Sequence, residues 1–278
     1  MKEKLIFLDI DGTLTIGGGT TPPDSALRAI RSAQSRGHRV FLSSGRNMGL
    51  LRSFLPYGFD GVISCAGGYV ECGGQVLFDC PMTPGQLETA LDVLHDNGVF
   101  CTIEARDQNF GDTGLEDYFR QPREKDEEIR QWRTALAQRL GIAPMTAYDG
   151  QPIYKIVYMC SQSQQLDAPR QVLEGDFQFC GQTLSYSGCV NGELINRKFH
   201  KGTGVELVCR HLGVSLADTC AFGDSRNDWE MLKTVGFGVA MGNADPALKA
   251  QADYVCPPVT EDGLAQAFQT LGLSENFG

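Results

Sequence analysis

The sequence contains no C-x-x-C pair, although it carries 10 cysteines in 278 residues. Without that spacing the usual zinc ribbons and fingers are excluded, and a scattered set offers no disulfide framework. Cysteines in apolar contexts, such as Val62-Ile63-Ser64-Cys65 and Val157-Tyr158-Met159-Cys160, read instead as buried reduced thiols. Positive charge is also in short supply. Lys and Arg number 24 against 34 Asp and Glu, a formal charge of −10, which argues against nucleic acid as the main partner. A local basic pocket for one phosphate stays compatible with that total. No apolar run approaches the roughly 20 residues of a membrane span. The apolar start Leu5-Ile6-Phe7-Leu8 meets Asp9 too soon for a signal peptide, so the expectation is a cytoplasmic protein with no membrane partner. There is no internal repeat and no low-complexity segment.

What is present is ordinary globular material, 42% apolar and 21% charged. At roughly 150 residues per domain the length suggests two domains. Leu5 to Leu8 reads as a buried strand running into the polar loop Asp9-Ile10-Asp11-Gly12-Thr13. Pro22-Pro23-Asp24-Ser25 opens a helix with Leu27, Ile30 and Ala33 at helical spacing, and Gly37 stops it. Strands over Arg39 to Leu42 and Gly61 to Cys65 follow, the first leading through Ser43-Ser44-Gly45-Arg46 into a helix. Strand and helix alternating in this way predict a parallel sheet covered on both faces.

The pattern then changes. Val70-Glu71 and Gln75 to Phe78 flank Cys72-Gly73-Gly74 as a hairpin. Beyond it come a helix over Gln86 to Asn97, a strand over Phe100 to Ala105, and a polar surface loop over Asp107 to Arg123. A helix over Lys125 to Leu140, a strand over Ile153 to Met159, a helix over Leu166 to Leu173 and strands near Phe177 and Leu184 follow. The doubly wound pattern then resumes. Val205, Val208, Cys209 and Leu212 form one helix face closed by Gly213. Strands over Thr219 to Phe222 and Phe237 to Met241 come after it. The reading is one α/β domain, 1–82 with 193–278, interrupted by an inserted α/β domain over 83–192.

Four segments carry chemistry. Asp9-x-Asp11-Gly12-Thr13 ends a strand, where open parallel sheets bind ligands, and two carboxylates there can converge on a hard cation such as Mg2+. An acidic turn closed by glycine is the plainer explanation. Gly223-Asp224-Ser225-Arg226-Asn227-Asp228 also follows a strand, with Asp224 and Asp228 four apart near a helix start. Capping explains one of those acids but not three polar groups around Gly223. Lys201-Gly202-Thr203-Gly204 sets a lysine against the helix macrodipole, which suggests that it faces carboxylates or phosphate rather than solvent. His200 beside it reads as structural or exposed. Ser44-Gly45-Arg46 offers backbone N–H groups to phosphate oxygens, or simply an N-cap serine. As a set they form a phosphoryl-transfer inventory: nucleophile, acid, metal carboxylates, a cation and donors for the equatorial oxygens.

With Asp9-Ile-Asp11-Gly-Thr13-Leu14, Ser44-Gly45-Arg46, Lys201-Gly202, Gly223-Asp224-Ser-Arg-Asn227-Asp228 and Val239-Ala-Met-Gly-Asn243-Ala in place, the chain resembles the haloacid dehalogenase superfamily. It is most similar to that superfamily's Cof-like phosphatases, over nearly its whole length. The resemblance implies a Rossmann-like doubly wound core with an inserted α/β (type IIB) cap that selects a small phosphorylated metabolite. It implies that Asp9 attacks phosphorus to give an aspartyl-phosphate. Asp11 would protonate the leaving oxygen and then activate water, which calls for a raised pKa. Mg2+ would be held by Asp9, Asp11 through its backbone carbonyl, Asp224 and, from nearby, Asp228. Phosphate would be bound by Thr13, Ser44, Gly45, Arg46, Lys201 and Asn227, with Lys201 also neutralising Asp9. One departure stands out: Ala66-Gly67 occupies the place of an Asn-Gly pair, so that asparagine's contact is missing. Glu104, Arg106 and Arg123 flank the cap's polar loop as candidate substrate contacts or as solvated charges. A phosphomutase or other phosphotransferase would share the aspartyl-phosphate, and a non-catalytic metabolite-binding regulator could share the scaffold.

Overall fold

Every residue of the first strand is buried, and its alternation sets the architecture. In β1 (Leu5–Leu8), Leu5 and Phe7 join one apolar layer while Ile6 and Leu8 join another on the opposite face of the sheet. The structure, a computed structural model, describes residues 3–113, 141–183 and 190–275. The chain divides into two units, Met1–Asp79 with Phe199–Gly278, and Cys80–Lys198.

The first unit continues with α1 (Asp24–Ser35), which buries Leu27, Ile30 and Ala33 and is followed by Gly37 at φ 87°. β2 (Arg39–Ser43), α2 (Met48–Leu51) and β3 (Gly61–Ser64) come next. β4 (Tyr69–Cys72) and β5 (Gln75–Asp79) form the expected hairpin. Its tip, Gly73-Gly74, has φ 57° and 81°, a turn that side chains would oppose.

The second unit opens on α3 (Pro84–Asp96), started by a Thr83–Gln86 capping box and Pro84 in its first turn. β6 (Phe100–Ala105), β7 (Asn109–Gly111), β8 (Ile142–Pro144) and β9 (Ile153–Cys160) follow. After α4 (Asp167–Leu173) come β10 (Phe177–Thr183) and β11 (Val190–Asn196). The six strands run in the order β10-β11-β9-β6-β7-β8. Ile103, Ile156 and Leu194 on one sheet face pack with Leu87, Ala90 and Leu94 of α3 and Leu173 of α4. Three features differ from expectation, the first being β8, a three-residue strand where none was read. Asn109–Gly111, read as part of a surface loop, is a fully buried strand paired with β6; three residues are too few to show a period. β11 went unread because Asn191, Gly192 and Asn196 mask its apolar positions, so residue 192 falls inside a strand and not after one. Arg123, the helix over 125–140 and the strand near Leu184 lie outside the described residues.

The first unit resumes with α5 (Lys201–Leu212), which buries Val205, Val208 and Cys209 and is capped by Gly213 at φ 67°. β12 (Thr219–Gly223), α6 (Trp229–Thr234), β13 (Phe237–Ala240), α7 (Pro246–Gln251), β14 (Tyr254–Val255) and α8 (Gly263–Thr270) complete it. Its eight-stranded sheet has the order β14-β13-β12-β1-β2-β3-β4-β5. It is parallel from β14 to β3 and antiparallel at β4 and β5. α1 and α8 cover one face, and α5, α6 and α7 the other. Strand order reverses at β1, with β2 on one side and β12 on the other, so Asp9 and Asp224 leave neighbouring strands at the switch point. The nine described cysteines are free thiols, most of them buried. Among the described residues no helix is long and apolar enough to cross a membrane.

His38, between α1 and β2, gives this fold a pH dependence. It is 3% exposed, its Nδ1 accepts the Lys4 backbone N–H at 3.1 Å, and its Nε2 has no hydrogen-bond partner. Burial, reinforced by the Arg36 and Lys4 charges, pushes its pKa below the ordinary histidine range. The unfolded chain therefore takes up a proton that the folded chain refuses. Stability from this group is complete above about pH 6.5 and declines as pH falls from there toward the folded pKa. The urea midpoint is expected to drop between pH 7.5 and 5.5, and to drop less in His38→Asn. Equal drops in the two proteins would refute the assignment.

Candidate active site

Lys201, the first residue of α5, has a wholly buried side chain, and its ammonium joins three polar groups. It lies 2.6 Å from Asp9 Oδ1, 2.7 Å from Asp228 Oδ1 and 3.1 Å from Asn227 Oδ1. His200 supplies the N-cap: its Nδ1 accepts the Thr203 N–H at 3.2 Å while Thr203 Oγ1 accepts the His200 N–H at 3.0 Å. That box starts the helix and leaves the lysine pointing at carboxylates, against the macrodipole as its sequence position suggested. Gly202 is required by packing, since a methyl group there would collide with the backbone of Glu230 in α6.

Asp9 directly follows β1, is 4% exposed, and donates its backbone N–H to Phe222 O of β12 at 3.0 Å. Burial and the Asp228 charge push the Asp9 carboxyl well above the carboxylate range, against the opposing pull of Lys201. Burial alone would depress Lys201, but Asp228 and Asp9 hold its pKa above the ordinary lysine value, so it stays charged. Asp228 ends a short 3-10 turn (Arg226–Asp228). Its Oδ2 accepts the N–H groups of Asp224 and Ser225, each at 3.1 Å. The four-residue spacing thus closes the loop on itself before α6 begins.

Asp224 follows β12. Its Oδ1 is buried without a hydrogen-bond partner, and Asn243 Nδ2 lies 3.4 Å from its Oδ2. Burial, then the Asp228 charge, push it up to about 7. One carboxylate oxygen each from Asp9, Asp224 and Asp228 lies within 4.8 Å of the others. Gly12, at φ 84°, passes so close to Asp224 that a side chain there would strike its carboxylate. Asn243 ties the same loop down, donating to Gly12 O at 2.8 Å and accepting the Val259 N–H at 2.9 Å. Sequence reasoning quoted Asn243 without giving it a role; its place just beyond the end of β13 was the available signal.

Ser44 is 1% exposed, and its Oγ accepts the Arg46 N–H at 3.1 Å. The cap of α2 is Asn47 instead, which accepts the Leu50 N–H at 3.0 Å. A methyl group on Gly45 would come 3.7 Å from Asn227 Nδ2, so this loop faces the Lys201 cluster. Ala66 takes a left-handed conformation, φ 58°, at the end of β3. Asparagine is at ease in that region and alanine is strained there, which explains the residue type whose place Ala66 fills.

Asp11 departs from expectation. Arg46 Nε donates to its Oδ2 at 2.8 Å, Arg46 Nη2 to its Oδ1 at 2.6 Å, and the Gly18 N–H to Oδ1 at 2.7 Å. Burial pushes this carboxyl up, but the Arg46 bonds and charge outweigh it, and the pKa falls below the ordinary value where a rise was expected. Arg46 also donates to Gly19 O at 2.9 Å, so its guanidinium is committed to this loop and not to the Asp9 cluster. Thr13 is wholly buried, its hydroxyl has no hydrogen-bond partner, and it lines a small cavity with Pro23, Ser25 and Leu264. In the second unit Glu104 is no solvated charge: it is buried, 3.1 Å from Lys155 Nζ, which lies 2.6 Å from Glu193 Oε1. Arg106 is exposed, and its Nε pairs with Asp107 Oδ2 at 3.0 Å.

A family model described as haloacid dehalogenase-like hydrolase matches residues 6–268. The chain is 30% identical to the "Putative phosphatase YkrA" of Bacillus subtilis (strain 168), over 98% of this chain and 99% of that one. It is 28% identical to the HMP-PP phosphatase of Yersinia pseudotuberculosis serotype O:1b (strain IP 31758), over 89% of this chain and 87% of the relative. Among solved structures, the subclass IIB sugar phosphatase BT4131 superposes with a TM-score of 0.74 at 23% identity, covering 97% of this chain and 99% of that one; this likeness speaks to fold alone.

Proposed function

The chain belongs to the haloacid dehalogenase-like hydrolases and is a Cof-like phosphatase, and from that premise we propose that it hydrolyses a small phosphorylated metabolite through an aspartyl-phosphate on Asp9, with Mg2+ as its cofactor. The observation that carries this reading is the Lys201 ammonium shared by Asp9 and Asp228, beside a buried Asp224 oxygen that nothing satisfies.

The donor set suits a hard divalent cation. Three carboxylates gather here, and one ammonium pairs with only two of them, Asp9 and Asp228, which leaves surplus negative charge and an orphaned oxygen in one place. Asp9, the Asp11 backbone carbonyl and Asp224 would hold Mg2+ with Asp228 in support, and the ion would supply Lewis-acid neutralisation of phosphoryl charge. Lys201 lowers the repulsion between the Asp9 carboxylate and a dianionic phosphate. The free Asp9 oxygen bonds to phosphorus as the ester oxygen departs. The hydroxyl of Ser44, the Gly45 loop, Lys201 and Asn227 hold the equatorial oxygens. Asp11 gives the leaving oxygen a proton and later takes one from the water that releases phosphate. To do so it must exchange its Arg46 pairing for the substrate, so Arg46 is assigned to Asp11 and not to phosphate. The inserted unit, on this proposal, selects the leaving group.

The test is chemical trapping. Acid quench during turnover should leave phosphate on the peptide containing Asp9, released by hydroxylamine as acyl phosphates are. Labelled phosphate that never becomes protein-bound, or that sits on another peptide, would defeat the proposal. Cation affinity gives a second prediction. With Asp224 at about 7, protons compete for a ligand oxygen below neutrality, so affinity rises with pH up to about 7 and then levels. Mn2+ binding followed by electron paramagnetic resonance should be about tenfold weaker at pH 6 than at pH 8. A flat profile would remove Asp224 from the ligand set.

A further inference from the structure

Among the described residues, two groups of three ligand-type side chains bring one donor atom each within 4.8 Å of the others. One is the Asp9, Asp224 and Asp228 cluster. The other is His95, Cys101 and Asp112, all in the second unit. We propose that His95 Nε2, Cys101 Sγ and Asp112 Oδ2 form a transition-metal site, taking Zn2+ or a similar borderline-soft cation, separate from the phosphatase chemistry.

The argument begins with donor type. Three carboxylates suit Mg2+, whereas one thiol, one imidazole and one carboxylate suit zinc and disfavour magnesium. The elements then fix the donors in place. His95 lies in the last turn of α3, and the chain turns through Gly98 at φ 66° to put Cys101 second in β6. Asp112 directly follows β7, beside β6, and two hydrogen bonds hold it against Cys101. The Cys101 N–H donates to Asp112 Oδ2 at 2.7 Å, and the Asp112 N–H donates to Cys101 O at 2.9 Å. A ligating carboxylate that already accepts a backbone N–H is the usual outer-shell support for a metal ligand.

Distances agree as well. Zinc bonds of about 2.0–2.3 Å in a tetrahedron set ligand atoms roughly 3.3–3.7 Å apart. His95 Nε2 and Asp112 Oδ2 are 2.9 Å apart, and the thiol lies within the 4.8 Å limit, so small side-chain rotations reach the required spacing. His95 is 42% exposed at its side chain, which gives the ion a path to a thiol that is otherwise 1% exposed. On binding, metal–sulfur, metal–nitrogen and metal–oxygen bonds form. The thiol proton passes to solvent, and the imidazole proton, drawn from Nε2, resides on Nδ1. Water completes the fourth position.

Two competing readings are weaker. A Cys–His–Asp set also suits nucleophilic catalysis, but a thiol this buried cannot meet a substrate, and burial pushes its pKa up and away from the reactive thiolate. A simple His95–Asp112 pair at the helix end, with Cys101 as a core thiol whose Sγ lies 3.9 Å from Val99 O, accounts for each residue singly but not for three donor atoms of these types converging.

The experiment uses Co2+ as a spectroscopic stand-in for Zn2+, on the full chain in excess Mg2+ so that the oxygen-only cluster is already supplied. Wild type should bind one equivalent with a near-ultraviolet thiolate-to-cobalt charge-transfer band, and Zn2+ should displace it. Cys101→Ser should lose the band. His95→Ala, at a largely exposed position, should bind at least about tenfold more weakly. Phosphatase activity in Mg2+ should be the same in all three proteins. No charge-transfer band in wild type, or a band of unaltered affinity in His95→Ala, would overturn the proposal. His95→Ala keeps the test decisive even if Cys101→Ser fails to fold.

Discussion

Asp9→Asn is expected to cut phosphate release by at least about 10³-fold, roughly 4 kcal/mol of transition-state stabilisation, while leaving the protein as stable as wild type or more so. The two effects have one cause. Burial and the Asp228 charge raise the Asp9 pKa, so the ionised side chain is carried at a cost to folding above the unfolded pKa. An amide of the same shape removes that cost and the proposed nucleophile together. Lys201 keeps Asp228 at 2.7 Å and Asn227 at 3.1 Å, so it is not stranded. Thermal melts and initial rates on the same preparation check this. A variant that loses activity together with several degrees of melting temperature would show that Asp9 acts through structure.

Lys201→Met should behave in the opposite way. The side chain is wholly buried, and removing its charge leaves Asp9 and Asp228 facing one another without compensation. Breaking a buried ion pair from one side typically costs about 3–5 kcal/mol, so both stability and turnover should fall. Carboxylate protonation is the escape, so the stability deficit should shrink as pH is lowered. Adding Asp228→Asn should restore much of the melting temperature and none of the activity. Additive losses in the double variant would contradict the coupling read from the 2.6 and 2.7 Å contacts.

The site was legible in the sequence to the extent that its parts sit at strand ends and helix starts. Asp9 and Asp224 follow strands that proved to be neighbours, and Lys201 opens a helix where a lysine is electrostatically out of place. Each carries its own local signal. The pairing of Asp11 with Arg46 carried none. It depends on how the loop from Gly12 to Gly19 folds back, with the Gly18 N–H and Gly19 O completing the contact, and no residue spacing encodes that. Thr13 shows the converse, since a motif position does not say which way a side chain turns. In the fold, long periodic elements such as α1 and α5 were read within a residue or two at most of their bounds. β7 and β8 were missed because each is three residues long, and β11 because Asn191, Gly192, Glu193 and Asn196 interrupt its apolar residues on both sheet faces.

The order of strands also fixes an order of assembly. Leu5 stands beside Arg39 on one side and Thr219 on the other, and the Asp9 N–H bonds to Phe222 O. On the ribosome, the strand that leads into Asp9 has an open, apolar edge until residues 219–223 have been made. The strands of Cys80–Lys198 pair only with one another among the described residues, so that unit is free to fold first. Substitutions that slow synthesis or folding of the last third should therefore lower the yield of soluble protein without touching any residue of the site, because the exposed edge of β1 invites pairing between chains.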